Sequence, residues 1–562
     1  MLLICPPIAK PCEPPAGIAK LAAALSAHGI TGTVLDANIE GLLYLLQQPQ
    51  KASDTWTRRA FKNISANLAS LRDIQTYQSS DRYNRAVKDV NRILTVSAKD
   101  GGAIIGLADY QHQHLSPLRS ADLITAAEHP EQNPFYPYFK ERLSEVIEKT
   151  FSQHSRPRLW SRSGSERKEK NENPPQSPFF KGGSRSRDIE EFSPFSKGGV
   201  GGFADEKGTA HVVGFSLNYL SQALCTFSMI GFVKKWFSGL KVVLGGGLVS
   251  SWMKRPGWEN PFGGLVDHLI AGPGEEPLLS LLGVDDAKQN HFTPDYGGLP
   301  IHDYLSPGFI LPYSGSSGCY WNKCSFCPER AEDNPYIPVS VERTIADLNA
   351  LIGRHKPALL HLLDNSISPA LMGALVDNPI GVPWYGFARI SKELTDSDYC
   401  MALKRSGCVM LKLGLESGDQ GVLDRMQKGI DLSLASVVLK NLHKAGMAVY
   451  AYLLFGTPAE TITEARRTLD FTVKHADAIT FLNLALFNMP ACGQEAQEYE
   501  TEHFYEGDLS LYTGFKHPQG WDRKLVRQFL DNDFKRHPAV SSILKNDPPV
   551  FTSNHAAFFA KP

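Results

Sequence analysis

Short apolar runs followed by helix-spaced apolar positions recur along this chain, loosely near its start and more regularly in its second half. Leu2–Cys5 is an apolar run of strand length, Pro14-Pro15 opens a helix over about Gly17–His28, and Gly32–Asp36 reads as a second strand. From about 39 to 153, apolar residues fall at helical spacing (Leu42, Leu45 and Leu46, then Phe139, Leu143, Val146 and Ile147), which predicts a helical cap. The pattern lapses at about 155–208, where Arg, Lys, Ser, Gly and Pro dominate and Ser177–Gly183 recurs as Ser193–Gly199. Such a stretch buries too little apolar area to offset its ordering entropy, so it reads as a disordered linker.

Alternation returns with a strand in His211–Asn218, a helix over Gln222–Trp236, a strand and glycine turn at Lys241–Gly247, and a strand at Val266–Ala271. Alternating strands and helices build parallel sheets through right-handed crossovers. Residues 1–285 therefore read as one doubly wound, Rossmann-like domain interrupted by the cap and the linker, with a Pro/Gly-rich connector over 286–312. Residues 313–490 repeat the pattern with strands near Leu359–Leu363, Trp384–Ala388, Met410–Leu415, Val449–Phe455 and Ile479–Leu486. Helices at Val341–Arg354, Asp396–Ser406, Leu432–Ala445 and Thr463–His475 lie between them. One more strand at the start of this region makes six, a partial (β/α)6 barrel of TIM type whose working residues sit at strand C-terminal ends. Residues 491–562 are a C-terminal extension expected near the barrel mouth, where Asn554–Phe559 either closes the mouth or is a plain tail strand.

Composition narrows the partners. Lys plus Arg (58) balance Asp plus Glu (59), which gives no electrostatic case for nucleic acid or an anionic membrane. Nine dispersed Cys form no paired framework and favour a reducing compartment. The start, Met-Leu-Leu-Ile-Cys-Pro-Pro, lacks a basic flank, and no apolar run approaches the ~20 residues of a membrane span. These features predict a cytoplasmic protein.

Cys319, Cys324 and Cys327 fall within nine residues. Three thiolates on one tight loop can hold three irons of a [4Fe–4S] cube and leave the fourth iron open, since such clusters normally take four protein ligands. A structural zinc knuckle or three unrelated core thiols are the alternatives. Zinc knuckles usually show a further Cys or His close by, whereas the next here are His355 and Cys400.

Taken together, these residues resemble radical S-adenosylmethionine (radical SAM) proteins that carry a cobalamin-binding domain. Pro14–Ala19, Gly245-Gly246-Gly247 and Gly272–Pro277 are similar to that family's vitamin-binding domain. The cysteine loop, Gly414–Gly418 and Phe455–Thr461 are similar to its catalytic barrel. The chain departs from the family's common pattern in two places. Four residues rather than three separate Cys319 from Cys324, and no Asp-x-His-x-x-Gly motif offers cobalt a histidine.

The resemblance implies an enzyme that holds a [4Fe–4S] cluster on the three Cys, cleaves SAM reductively and starts radical chemistry on a small-molecule or peptide substrate. Cobalamin is an implied cofactor, methylation one reaction it admits, and a flavodoxin or ferredoxin the electron donor. A radical SAM oxidoreductase or rearrangement enzyme with a vestigial vitamin domain is an alternative, as is a non-catalytic iron–sulfur or zinc scaffold. Phe326 resembles the aromatic near the adenine, while Glu416 and Ser417 resemble contacts to the SAM ribose or amino-acid part. Asp364 and Asn365 end a strand and are SAM ammonium acceptors or a helix cap; Arg389 pairs with the SAM carboxylate or with a surface acid. Gly456 lets backbone approach the adenine, Glu460 orders the next helix start, and Lys428 is a weaker candidate. Ser216, Asn218, Gly245, Gly246 and Gly247 either cradle the cobalamin tail or form a tight turn. No catalytic acid, base or nucleophile is legible.

Overall fold

The computed structural model describes residues 1–48, 54–151, 211–284, 291–502, 507–548 and 555–560. The expected linker at 155–208 lies outside the described residues, as does Asn554. The described chain is mixed α/β, built on two parallel sheets.

The first sheet has five strands: β1 (Leu2–Cys5), β2 (Thr33–Asp36), β3 (Val212–Ser216), β4 (Lys241–Gly245) and β5 (His268–Leu269). Their order is β2-β1-β3-β4-β5 and all pair in parallel. Helix α1 (Ala16–Ala27) crosses from β1 to β2, and α2 (Leu220–Trp236) from β3 to β4. Helices fill most of the expected cap, together with an antiparallel hairpin, Ala103–Ile105 with Tyr110–His112, that helical spacing did not announce. The cap is part of the domain core, because Leu42, Val87 and Phe139 are buried in one cluster with Leu2, Ile4 and Phe227.

The second sheet runs β6 (Ile310–Tyr313), β7 (Leu359–Leu362), β8 (Trp384–Ala388), β9 (Cys408–Glu416), β10 (Ala448–Phe455) and β11 (Phe481–Leu486). Each strand pairs in parallel with the next in sequence. Helices α3 (Val341–His355), α4 (Pro369–Asp377), α5 (Ser397–Arg405), α6 (Leu432–Lys444) and α7 (Ile462–Lys474) are the crossovers. The sixth strand is thus β6, which begins inside the stretch read as connector. The outward residues of β9, Leu411, Leu413 and Leu415, are buried against these helices. Each such Leu contributes about 1.5–3 kcal/mol on burial.

Inward residues of the first and last strands, Ile310 and Phe481, share one cluster with Leu359, Tyr385, Met410 and Tyr450, so the sheet curls. Ala556 joins that cluster, and His555 packs its ring 4.3 Å from Tyr450 and 4.5 Å from Phe481. Ile310, Leu359, Ala448 and Phe481 open their strands, so this tail seals the strand starts. Neither expectation for Asn554–Phe559 holds: His555–Phe559 is a short 3-10 helix rather than a strand, and it lies at the end opposite the mouth, where apolar strand starts offer it a buried seat. Among the described residues no helix is long and apolar enough to cross a membrane.

Candidate active site

The cysteine loop leaves the C-terminal end of β6 and is fixed by backbone that only glycine permits. Gly318 has φ +72°, and a Cβ there would lie 2.3 Å from the Pro335 carbonyl oxygen. Ser316–Ser317 pairs with Ile337–Pro338 in a short antiparallel bridge. Asp364, beyond β7, accepts from Ser316 Oγ at 2.6 Å and Gly315 N at 3.0 Å. Asp364 therefore braces the entry to the cysteine loop. Further along, Ser325 N donates to Met426 O at 3.0 Å and Trp321 Nε1 to Gln427 O at 3.2 Å, tying the loop to the segment after β9.

All three cysteines are free thiols; Cys324 is buried, Cys319 and Cys327 partly exposed. Burial pushes the Cys327 thiol up to about 11 and raises Cys324, with Lys428 and Arg389 opposing the rise at Cys324. Among the described residues no three His, Cys, Asp or Glu side chains converge closely enough to hold a metal ion in the rotamers present. The donor set, sulfur alone on one short loop, suits iron–sulfur ligation, with thiol protons released on metal uptake.

Cationic groups surround Cys324. Arg389 Nη1 lies 4.0 Å from Cys324 Sγ, its guanidinium stacks 4.1 Å from the Trp321 ring, and Nη2 donates to the Lys428 carbonyl. Lys428 Nζ pairs with Glu416 Oε1 at 2.8 Å and lies 5.5 Å from the Phe326 ring centre. Lys428 is buried and Glu416 largely so, its side chain 12% exposed. Glu416 sits at φ +63°, a left-handed conformation that costs a non-glycine residue about 1–3 kcal/mol and is tolerated where the surroundings demand it. Gly414 makes the room: a Cβ there would meet Glu416 Oε1 at 2.5 Å and Lys428 Nζ at 2.7 Å. Arg389, Glu416, Lys428 and Phe326 are thus gathered around Cys324.

Ser417 and Gly456 have other engagements. Ser417 is fully buried with its hydroxyl 3.1 Å from Thr468 Oγ1 on α7, and Asn365 is exposed. Gly456 N donates to Glu460 Oε2 at 2.6 Å, and Trp521 Nε1 donates to the same oxygen at 3.1 Å. Glu460 is fully buried with Oε1 lacking a partner, and burial pushes its carboxyl up to about 7.

At the other sheet, Asn218 Oδ1 accepts from Gly247 N at 2.9 Å while Asn218 Nδ2 donates to Ser216 Oγ at 3.1 Å. Gly246 has φ +112°, and a Cβ there would lie 2.3 Å from the Leu217 carbonyl oxygen. Ser216, Asn218 and Gly245–Gly247 therefore come together as a lock of two loops with Asn218 and Gly247 exposed. Their polar atoms satisfy one another, so the set fits a tight turn, and no observed side chain here fits a cobalt ligand.

Sequence reading missed a third group. His361 on β7 places Nδ1 2.9 Å from Glu13 Oε2, and its Nε2 lies 3.3 Å from Lys412 Nζ on β9. The signal was available in the two strands, where His361 and Lys412 each interrupt an apolar run.

No family model matches the chain. By sequence it is similar to an uncharacterized methyltransferase of Pyrococcus horikoshii, 25% identical over 210 residues, covering 36% of this chain and 44% of that protein. It is also similar to a bacteriochlorophyllide d C-12(1)-methyltransferase of Chlorobaculum tepidum, 26% identical over 175 residues (30% and 38% of the two chains). An anaerobic magnesium-protoporphyrin IX monomethyl ester cyclase of Rubrivivax gelatinosus is 23% identical over 220 residues (37% of each). The chain thus spans less than half the length of these curated relatives. Among solved structures it is similar to the radical SAM methyltransferase TsrM of Kitasatospora setae, at 12% identity and TM-score 0.46, over 87% of this chain and 75% of that one. The cobalamin-dependent SAM radical enzyme OxsB is similar at 16% identity and TM-score 0.37, over 48% and 44% of the two chains.

Proposed function

We propose that this protein is a radical SAM enzyme that holds a [4Fe–4S] cluster on Cys319, Cys324 and Cys327 and works on a substrate at the inner face of the curled sheet. In this reading the six-stranded unit is a partial (β/α)6 barrel, and the five-stranded unit is a doubly wound domain of the cobalamin-binding type. The observation that carries it is the braced three-thiol loop at the C-terminal end of β6, beside the Arg389, Lys428 and Glu416 charges. Cys319, Cys324 and Cys327 would hold the cluster, which when reduced would supply one electron to the SAM sulfonium.

The chain's own residues do the rest. Arg389 places positive charge against Cys324 and favours its thiolate. Trp321 and Asp364 hold the loop that carries the three sulfurs. Glu416, Phe326 and the Gly456 backbone form the surface against which SAM lies, with Lys428 setting the orientation of Glu416. The relatives named as methyltransferases favour methyl transfer among the outcomes, and Ser216, Asn218 and Gly245–Gly247 would meet any corrinoid tail at the strand ends of the first sheet.

Anaerobic reconstitution with iron and sulfide, then dithionite and SAM, tests this. Formation of 5′-deoxyadenosine is expected, with S-adenosylhomocysteine and a bound corrinoid if methyl transfer is the reaction. Iron uptake with no SAM cleavage under any of these conditions contradicts the reading.

A further inference from the structure

The inner face of the curled sheet has two levels. Its lower level, at the strand starts, is the apolar cluster sealed by Ala556. One step nearer the mouth it becomes polar. His361 and Lys412 both point inward there, since their neighbours Leu360, Leu362, Leu411 and Leu413 face the outer core. Glu13 reaches this level from the first domain, on the loop after β1 whose Pro11 carbonyl accepts from Leu305 N.

Lys412 is only 4% exposed. Among the described residues its one hydrogen-bond neighbour is the His361 Nε2 at 3.3 Å, and its remaining surroundings are the Tyr385 and Phe387 rings, each 5.0 Å from Nζ. An ammonium has three donors; two of these have no acceptor. Because Nε2 accepts from Lys412, the imidazole is neutral with its proton on Nδ1, where Glu13 takes it. Glu13 is therefore engaged by His361 and stands one imidazole away from Lys412. Lys10, on the same loop as Glu13, is exposed and has no ion pair or hydrogen bond among the described residues, and its charge is felt by both Glu13 and Lys412. The group carries two ammoniums against one carboxylate.

Glu13 offsets the Lys412 charge only from across the imidazole, and a buried ammonium with unmet donors is expensive. Burial already pulls the Lys412 ammonium down to about 8. An entering carboxylate would supply the acceptors that the Lys412 ammonium lacks and would meet the charge of Lys10. Glu13, His361, Phe387, Tyr452 and Asn483, at this level or next to it, are each only partly buried. Phe387 and Tyr452 face each other with centroids 4.9 Å apart, offering an aromatic wall to an apolar body.

We infer that this inner chamber binds a carboxylate-bearing small molecule, its carboxylate received by Lys412 and Lys10 and its apolar body lying on the Phe387–Tyr452 wall. Glu13 and His361 are positioning residues that hold the Lys412 ammonium in place. The inference names the substrate class for the reading above and rests on it for the claim that the occupant is a substrate, but binding itself needs neither SAM nor reductant.

The test uses benzoate and its neutral isostere benzamide on the full-length, anaerobically reconstituted protein, read by calorimetric titration and thermal melting. Benzoate should bind and raise the melting temperature, with benzamide weaker by about tenfold or more. Lys412→Met should abolish the preference for the anion, Lys412→Arg retain part of it, and Lys10→Met weaken it. Equal binding of the two probes, or wild-type benzoate binding by Lys412→Met, overturns the inference. Should Lys412→Met fail to fold by circular dichroism, the wild-type comparison and Lys10→Met decide alone. The two readings separate cleanly: benzoate binding without SAM cleavage sinks the enzyme reading alone, and SAM cleavage without anion preference sinks this one.

Discussion

Both sheets end in glycine-dependent turns, yet the two ends are finished in opposite ways. Beyond β3 and β4, Gly246 lets the Leu217 backbone close in, and Asn218 joins Gly247 to Ser216, with no charge involved. Beyond β7 to β9, Gly414 makes space for a buried Lys428–Glu416 pair, and Arg389 lies against a thiol. The first arrangement closes on itself; the second keeps desolvated charge beside three thiols. Burying charge is costly, and a hydrophobic replacement would often be as stable. Its retention at one end is the reason the proposed function puts the chemistry there.

Breaking the charged end should have the largest effect on folding. Lys428→Met leaves Glu416 buried, unpaired and in a left-handed conformation, and should destabilise by about 3–5 kcal/mol in urea melts. A loss below about 1 kcal/mol would mean that the pair is solvent-screened and the contrast is wrong.

Glu460 provides the next effect, through pH. Its folded-state value of about 7 lies above the 4.5 of a free glutamate, so the folded protein holds the proton to higher pH. Stability should be greatest below about 4.5 with respect to this group and fall as pH rises to 7, by up to about 3 kcal/mol, then level off. Glu460→Gln should flatten that fall, because an amide can still accept from Gly456 N and Trp521 Nε1; denaturation midpoints at pH 5 and 8 for both proteins check it.

The neutral end should respond more mildly. Gly246→Ala forces a Cβ towards the Leu217 oxygen and should lose about 1–3 kcal/mol with iron content unchanged. Asn218→Ala removes three side-chain hydrogen bonds at an exposed site and should cost about 1 kcal/mol or less. Iron loss in either variant would erase the distinction between the two ends.

The strands were legible wherever one face is uniformly apolar, as with Leu411, Leu413 and Leu415, and the cysteine loop was legible from spacing alone. What was not legible depends on distance along the chain. Glu13 meets His361 across 348 positions, and no local pattern announces such a pairing. Asp364 and Ser417 read as ligand contacts because strand ends are where ligands bind; the structure engages Asp364 in bracing Gly315 and Ser316, and Ser417 in a bond to Thr468. The tail was misplaced because apolar residues near a terminus seek any buried seat, and the strand starts offered one. Lys412 was the missed clue: a lysine within an otherwise apolar strand is either paired or at work.

The most direct test combines Cys319→Ala, Cys324→Ala and Cys327→Ala in one protein, prepared anaerobically beside the wild type. Iron content and 5′-deoxyadenosine formed from SAM with dithionite are then measured. The account predicts that the wild type carries about four irons per chain and forms the nucleoside, while the triple variant stays folded and does neither. A triple variant that binds iron and cleaves SAM as the wild type does would contradict it.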